Sequence, residues 1–211
     1  KIKKYLKLFG FGSSIPIDFP VPDWATGLLP DPEWKRKKFN EEWWDGDTYN
    51  LAIGQGFILA TPLQVATAFS AIANDGKLIK PMLVKAVLNE KKEIIEEFHP
   101  QVLRENFVSK ENIQIVKEGM RKAVSGEDSP HATAVLLNSL PQKVAAKTGT
   151  AEVFRKDCPD CYNIWVVVFA PFENPEIVLV LMLEDVKGYQ TQVLVPVAFE
   201  ILKWYFEKNK I

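Results

Sequence analysis

The sequence predicts an α+β fold in which an antiparallel sheet is flanked by helices. Helical and irregular segments fill the first two thirds of the chain, three strand-like runs follow from Gln142, and helical periodicity returns after Pro196. The loops between the strand-like runs are short, and such loops join antiparallel rather than parallel neighbours. This order favours an α+β arrangement over a repeated βαβ chain.

The composition is typical of a chain that folds around one sizeable hydrophobic core, and its charge balance argues against a nucleic-acid partner. The 211 residues are 47% hydrophobic, which indicates one domain or a large piece of one. Lys and Arg number 26 against 27 for Asp and Glu, so we expect no nucleic-acid partner. No run approaches the ~20 apolar residues that a membrane-spanning helix needs.

The first quarter of the chain shows one helix end and a long irregular stretch. Residues 1–9 read as the end of a helix that stops at Gly10 and Gly12. Residues 13–56 are predicted to form no regular element. Four tryptophans fall in that stretch, namely Trp24, Trp34, Trp43 and Trp44.

Two helices and a hairpin are predicted in the middle of the chain. Thr61-Pro62-Leu63-Gln64 has the form of a helix cap, and Asn74-Asp75-Gly76 ends that helix. Met82–Leu88 and Glu93–Phe98 are predicted to pair as a hairpin. A second helix is predicted from the Ser109 cap to about Val124. A short helical turn is expected at Ala132–Leu137. The residues predicted to face the core are Val65, Phe69 and Ile72 on the first helix, and Ile113, Val116, Met120 and Val124 on the second.

The last third predicts a three-strand meander and a closing helix. The strands are expected at Lys143–Phe154, Ile164–Ala170 and Ile177–Leu183. The middle run is apolar throughout, as in a strand buried on both faces, so helices are expected to cover both sides. After Pro196, the closing helix is predicted to bury Val197, Ile201, Leu202 and Tyr205.

The two cysteines, Cys158 and Cys161, lie in a Cys-Pro-Asp-Cys turn between strand-like runs. A local disulfide or a free pair is the first interpretation, and a zinc site or a thioredoxin-like redox site are weaker alternatives. His99 and His131 are assigned to no site. We expect neither a metal nor a cofactor.

The tetrapeptide Lys147-Thr148-Gly149-Thr150 is the candidate functional motif, since it lies within a predicted strand. A peptide could add along this strand, with the Lys147 ammonium and a threonine hydroxyl holding its terminal carboxylate. Gly149 would allow close approach of a substrate backbone, and a strand N–H could face a developing oxyanion. Alone, the same residues also suit an ordinary exposed strand. The motif can bind and polarise, but it contains no nucleophile.

Several further segments accompany the tetrapeptide. They are Trp43-Trp44-Asp45-Gly46-Asp47-Thr48, Ala52-Ile53-Gly54-Gln55-Gly56, Thr61-Pro62-Leu63-Gln64, Asn74-Asp75-Gly76, Ala132-Thr133-Ala134 and Ala145–Val153. With these segments, in this order, the chain resembles the elongation-type penicillin-binding protein 2 family of class B transpeptidases. The joint order makes the resemblance more specific than the tetrapeptide alone.

The resemblance implies peptidoglycan D,D-transpeptidase chemistry in cell-wall elongation. A serine attacks the penultimate D-alanine carbonyl of a stem peptide, D-alanine leaves, and a neighbouring amine resolves the acyl-enzyme. By the same resemblance, Lys147 and Thr150 are catalytic, and Lys147, Thr148, Gly149 and Thr150 bind the substrate. It also implies β-lactams as inhibitors, a glycan-polymerising membrane partner, and a location on the periplasmic face of the inner membrane.

The Ser-x-x-Lys signature of that family and its Ser-x-Asn or Ser-x-Asp signature are absent from the sequence. None of the serines at positions 13, 14, 70, 109, 125, 129 and 139 has the required neighbours. We therefore expect residues 1–211 to be the C-terminal portion of one transpeptidase domain with a partial penicillin-binding or serine β-lactamase-like fold. The nucleophile and a membrane anchor would lie upstream, leaving these residues inactive alone. The alternatives are a non-catalytic domain that binds stem peptides or β-lactams, a serine β-lactamase, and a scaffold.

Overall fold

A computed structural model describes residues 1–18, 25–128, 130–188 and 192–208, with Phe154 described by its backbone alone. Trp24 and its neighbours, which belong to the stretch expected to be irregular, lie outside the described residues. The chain divides into two compact units. The first comprises Lys1–Ala71 and Gly76–Val108, and the second comprises Ile72–Asp75 and Ser109–Ile211.

In the first unit the helices precede the short strands along the chain, and the second unit holds the longest strands. The helices are α1 (Ile2–Leu8), α2 (Pro32–Phe39), α3 (Asp45–Ala52), α4 (Pro62–Ala73), α5 (Lys110–Ser125) and α6 (Leu194–Lys208), with a 3₁₀ helix at Val135–Ser139. The strands are β1 (Leu78–Ile79), β2 (Ala86–Leu88), β3 (Ile94–Glu97), β4 (Val102–Arg104), β5 (Ala145–Arg155), β6 (Cys158–Ala170) and β7 (Ile177–Lys187).

The structure of the first unit confirms the predicted helix at the start of the chain and contradicts the prediction for residues 13–56. The expectation of no regular element in residues 13–56 is wrong, because α2 and α3 both form there. Asp31 caps α2 by accepting from the Trp34 N–H at 2.8 Å, and Pro32 occupies the first turn. The Asp47 carboxylate accepts from the Trp44 N–H at 2.8 Å at the start of α3.

Helix α4 begins at the predicted cap. The Thr61 hydroxyl accepts from the Gln64 N–H at 3.1 Å, and the Gln64 side-chain oxygen accepts from the Thr61 N–H at 2.9 Å. The predicted apolar face of Val65, Phe69 and Ile72 is only half-buried. The buried face instead carries small and polar residues that permit close packing, namely Gln64, Thr67, Ala68 and Ala71.

The predicted hairpin is confirmed as the antiparallel pair β2–β3, although β2 begins at Ala86 rather than Met82 and β3 is one residue shorter at each end. A second antiparallel pair, β1–β4, was not predicted from the sequence. Both of its strands are two or three residues long, which is too short for a period-2 pattern to be recognised.

In the second unit, α5 has the predicted ends. The Ser109 hydroxyl accepts from the Asn112 N–H at 3.3 Å, and Gly126 closes the helix in the left-handed region at φ 72°. The predicted core position Val116 is wrong, because 44% of its surface is exposed. Lys117 is buried in its place, with its ammonium 2.9 Å from the Asp75 carboxylate and 5.9 Å from the centre of the Phe169 ring.

The meander β5–β6–β7 is the sheet of the second unit, and both pairings are antiparallel. One face packs on α6 and the 3₁₀ helix around a core of apolar side chains. Val166–Ala170 of β6 is buried without interruption, as predicted for a central strand. The side chains at the centre of this core are Val144, Ala146, Ile164, Val166, Val168, Leu194, Ala198 and Leu202.

Helix α6 begins before Pro196, so this proline lies in its first turn. The predicted inward position Val197 is wrong, because 46% of its surface is exposed. The face that is buried comprises Leu194, Val195, Ala198, Leu202 and Phe206. The buried face thus lies one residue further along the helix than predicted, at Ala198, Leu202 and Phe206, because that face meets the core of the sheet.

Cys158 and Cys161 form a disulfide at the start of β6, which confirms the local bridge of the first interpretation. Among the residues that the structure describes, no helix has both the length and the apolar character to cross a bilayer.

Candidate active-site strand

The candidate site is built on β5, which lies at one edge of the described three-strand sheet. Its four motif residues pair in an unbroken register with β6. The pairs are Lys147 with Val167, Thr148 with Val166, Gly149 with Trp165, and Thr150 with Ile164. The register shifts only later, between Val153 and Arg155. The motif is therefore held on a regular strand.

Two hydrogen bonds of residues just before the motif show to which side of β5 the backbone N–H and C=O groups of each motif residue are directed. The Lys143 carbonyl accepts from the Phe172 N–H at 2.7 Å, on the β6 side. The next carbonyl, of Val144, accepts from Arg121 of α5 at 2.9 Å, on the other side. Backbone groups alternate between the two sides of an antiparallel strand. The N–H and C=O of Thr148 and Thr150 are therefore directed to the outer edge of β5.

The Lys147 side chain is exposed, and its ammonium donates to the Thr148 carbonyl. This contact folds the lysine back along the strand toward the outer edge. The positive charge thus lies beside the backbone groups of Thr148. An arriving carboxylate would find an ammonium and strand donors at the same edge.

The Thr148 side chain is on the opposite face from Lys147 and only 7% of the residue is exposed. Its hydroxyl oxygen lies 2.7 Å from that of Thr133. Thr133 comes from the segment before the 3₁₀ helix, and the adjacent Ala134 is fully buried and donates its N–H to the Ala123 carbonyl at 3.1 Å. The structure therefore brings two of the family-like segments into direct contact.

Gly149 faces Trp165 across the β5–β6 pairing. A Cβ placed on Gly149 would lie 3.4 Å from the Trp165 Cβ, which is an ordinary contact distance. Its backbone is not in the left-handed region. Nothing within the described chain therefore requires a glycine at this position.

Arg121 on α5 is a site-supporting residue that the sequence reasoning missed. Besides the Val144 carbonyl, it donates to the Asn138 side chain at 2.7 Å. It ties α5 and the 3₁₀ helix to the start of β5. At the end of α5, the Asp128 carboxylate accepts a hydrogen bond from Lys122 at 3.0 Å and raises the pKa of that lysine. No sequence periodicity identifies Arg121, because its two hydrogen bonds depend on the tertiary packing.

The family-like segments before α4 lie in the first unit and have identifiable local roles. Trp43 donates its indole N–H to Thr48 at 2.9 Å, and Asp47 accepts from the buried Lys35 at 2.7 Å. Gly54 and Gly56 both have positive φ, of 76° and 77°, which explains the glycines of the Gly-Gln-Gly turn. Lys35 was not singled out from the sequence.

Within the described ranges, no group of three His, Cys, Asp or Glu side chains is arranged to hold a metal ion. The chemistry that the strand offers is that of an ammonium, two hydroxyls and directed backbone donors. Such groups bind and stabilise an anion or an oxyanion.

Comparison with known sequences gives a match to the family model described as penicillin binding protein transpeptidase domain, over residues 1–203. The peptidoglycan D,D-transpeptidase MrdA of Haemophilus influenzae is 29% identical over 99% of this chain and 33% of its own length. The protein of the same name from Escherichia coli is 30% identical over 88% of this chain and 30% of its own length. The chain thus spans about a third of the curated relatives that it matches.

Solved structures match over 99% of the chain. Penicillin-binding protein 2 of Helicobacter pylori, solved in complex with MreC, has a TM-score of 0.78 at 30% identity, with 36% of that chain covered. The penicillin-binding protein 2 of Pseudomonas aeruginosa, in complex with WCK 5153, has a TM-score of 0.77 at 29% identity, with 44% covered. The α+β fold is therefore that of penicillin-binding transpeptidase structures.

Proposed function

Since this chain belongs to the penicillin-binding protein transpeptidase domain family, we propose that residues 1–211 are the C-terminal portion of one peptidoglycan D,D-transpeptidase domain. The proposed reaction cross-links stem peptides during cell-wall elongation. The curated relatives carry the same activity in their names, which supports the assignment.

The observation that carries the proposal is the direction of the β5 backbone. Thr148 and Thr150 turn their N–H groups to the outer edge, where the Lys147 ammonium also lies. A stem peptide that adds along this edge would place its terminal carboxylate near Lys147 and the threonine hydroxyls. The Thr150 N–H would then donate to the oxyanion of the tetrahedral intermediate.

In this proposal a serine from the preceding part of the protein forms a bond to the penultimate D-alanine carbonyl carbon. The peptide bond to the last D-alanine breaks, and the serine proton passes to the departing amine through a base. An amine of a neighbouring stem then displaces the serine. Lys147 stabilises the negative charge on the substrate and supports proton transfer, and Gly149 leaves room for the peptide backbone.

The cellular setting is part of the same proposal. The domain would act on the periplasmic face of the inner membrane, held there by an anchor outside these residues. A glycan-polymerising membrane protein would supply the strands to be cross-linked, and β-lactams would acylate the same serine. Residues 1–211 alone, without the nucleophile, would be inactive.

The test is release of D-alanine from a stem pentapeptide by the protein that includes its upstream part. Replacement Lys147→Met should reduce release at least tenfold, because a charge-assisted contact worth about 1.4 kcal/mol or more is lost. Lys143→Met is the matched control, since Lys143 is an exposed lysine paired with Glu173 and should leave release unchanged. Equal rates for the two variants would refute the role of Lys147.

A further inference from the structure

We propose that Thr133 is a positioning residue that donates its hydroxyl proton to Thr148 and so directs the Thr148 proton to the substrate carboxylate. The two hydroxyl oxygens lie 2.7 Å apart, and either atom could be the donor in that contact. The inference rests on the proposed function, because it assigns a carboxylate-binding role to Thr148. Thr133 lies outside the Lys147–Thr150 motif, so the motif alone does not identify it.

The bonding capacity of a hydroxyl selects one direction for the proton when substrate is bound. A hydroxyl has a single proton to donate and two lone pairs that accept, whereas an ionised carboxylate only accepts. When Thr148 gives its proton to the carboxylate, its oxygen can meet the Thr133 oxygen only as an acceptor. Thr133 must then be the donor. Hydrogen bonds in such a chain polarise one another, which strengthens the contact to the carboxylate.

The structure holds Thr133 firmly enough for this role. Ala134, the next residue, is fully buried and anchored by its N–H to the Ala123 carbonyl at 3.1 Å. Its carbonyl accepts from the Leu137 N–H at 3.0 Å, which starts the 3₁₀ helix. Thr148 is equally constrained, because it is paired with Val166 in the sheet and is buried. Both threonines are β-branched, so few side-chain rotamers compete with this contact.

A threonine with a purely structural role would make the same contact, so the test must distinguish a structural role of Thr133 from a positioning role. Thr133→Val keeps the shape but removes the hydroxyl, and Thr133→Ser keeps the hydroxyl. The matched control is Thr67→Val, because Thr67 is also buried and its hydroxyl donates to the Leu63 carbonyl at 2.8 Å on α4. All variants are made in the protein that includes its upstream part, and their folding is checked by thermal unfolding.

The measurement is the second-order rate constant of acylation by benzylpenicillin and by benzylpenicillin methyl ester, which lacks the carboxylate. Thr133→Val should slow benzylpenicillin about tenfold, which corresponds to the loss of one hydrogen bond, and should change the methyl ester rate less than about twofold. Thr133→Ser and Thr67→Val should both react with benzylpenicillin within about twofold of the unchanged protein.

Three results would overturn the positioning role: no slowing in Thr133→Val, equal slowing for acid and ester, or a Thr133→Ser variant as slow as Thr133→Val. If Thr133→Val fails to fold, the same comparison of acid with ester is made with Thr133→Ala. Failure of the proposed function looks different. In that case the unchanged protein is not acylated by benzylpenicillin at all, whereas failure of the positioning role alone leaves that acylation intact.

Discussion

The Thr133 and Thr148 hydroxyl oxygens lie 2.7 Å apart although the residues are 15 positions apart in the chain. This contact joins the segment that enters the core at Ala134 to the strand that carries the Lys147–Thr150 motif. The buried threonine of the motif therefore has a partner that comes from outside the strand. The position of the motif depends on packing elsewhere in the second unit.

Replacement Gly149→Ala is predicted to separate folding from substrate binding. The new Cβ would meet only Trp165, at 3.4 Å from its Cβ and 4.0 Å from its Cγ, so the free energy of unfolding should not fall and should rise by up to roughly 0.5–1 kcal/mol. Acylation by benzylpenicillin should nevertheless slow at least tenfold, because the methyl group occupies the space where the substrate backbone approaches. Stopped-flow acylation and urea unfolding measure the two quantities.

Gly119→Ala is the control for that prediction. Gly119 lies in the middle of α5, and a Cβ there meets nothing within 4 Å. Alanine should raise the free energy of unfolding by roughly 0.5–1 kcal/mol and leave acylation unchanged. Comparable loss of acylation in both glycine variants would contradict the role given to Gly149.

Gln64→Leu is predicted to destabilise the first unit. Gln64 is 1% exposed, and its side-chain nitrogen donates to the carbonyls of Ser13 and Thr26, each at 2.8 Å. Its side-chain oxygen also caps α4 through Thr61. Leucine would leave these buried groups without partners, at a cost of about 2–3 kcal/mol. Urea unfolding should show no such loss for Gln114→Leu, which changes an exposed glutamine of α5.

Removal of the disulfide is predicted to destabilise the second unit modestly. The bridge closes a loop from Cys158 to Cys161, only three positions apart. The chain-entropy relation gives about 2 kcal/mol for so short a loop. The double replacement Cys158→Ser and Cys161→Ser should lower the free energy of unfolding by that amount, and treatment with a dithiol should lower it equally. An unchanged value after reduction would show that the bridge does not stabilise the native state.

Asp18 is predicted to make the structure around Leu83 pH-dependent. The pKa of Asp18 is lowered chiefly by the Leu83 N–H and next by the Val84 N–H, which its carboxylate accepts at 2.8 and 2.9 Å. A carboxylate with a lowered pKa in the folded state stabilises that state fully above its unfolded pKa of 3.8. This contribution disappears as the pH falls through the lower, folded pKa.

Hydrogen exchange of the Leu83 and Val84 amides, corrected for the intrinsic exchange rate, measures this effect. Protection should fall as the pH drops below 3.8, and Asp18→Asn should show weaker protection that does not vary with pH in this range. Constant protection down to low pH in the unchanged protein would contradict the prediction.

Sequence reasoning recovered the elements whose ends carry chemical signals. Ser109 and Gly126 bound α5, and Thr61 with Gln64 begins α4, because caps are local in sequence. The three long strands were also recovered from their apolar runs. Helix α2 is not predicted although Asp31-Pro32 has the form of a cap, because the prolines and tryptophans around it are typical of irregular segments.

The inward faces of the helices were predicted less well, for a physical reason. Hydrophobicity alone places Val116 inside α5, but the structure buries Lys117, whose ammonium pairs with Asp75 and lies over Phe169. A buried lysine becomes recognisable only when its tertiary partners are known. The same is true of Thr133, whose partner Thr148 lies on another element. The roles of the four motif residues remain predictions.

The most direct test of the central proposal is intact mass after incubation with benzylpenicillin. The protein that includes its upstream part and the 211-residue chain are treated in parallel. We expect one covalent adduct on the longer protein and none on the 211-residue chain, since the proposed serine is not among its residues. An adduct on the 211-residue chain, or none on the longer protein, would contradict the assignment.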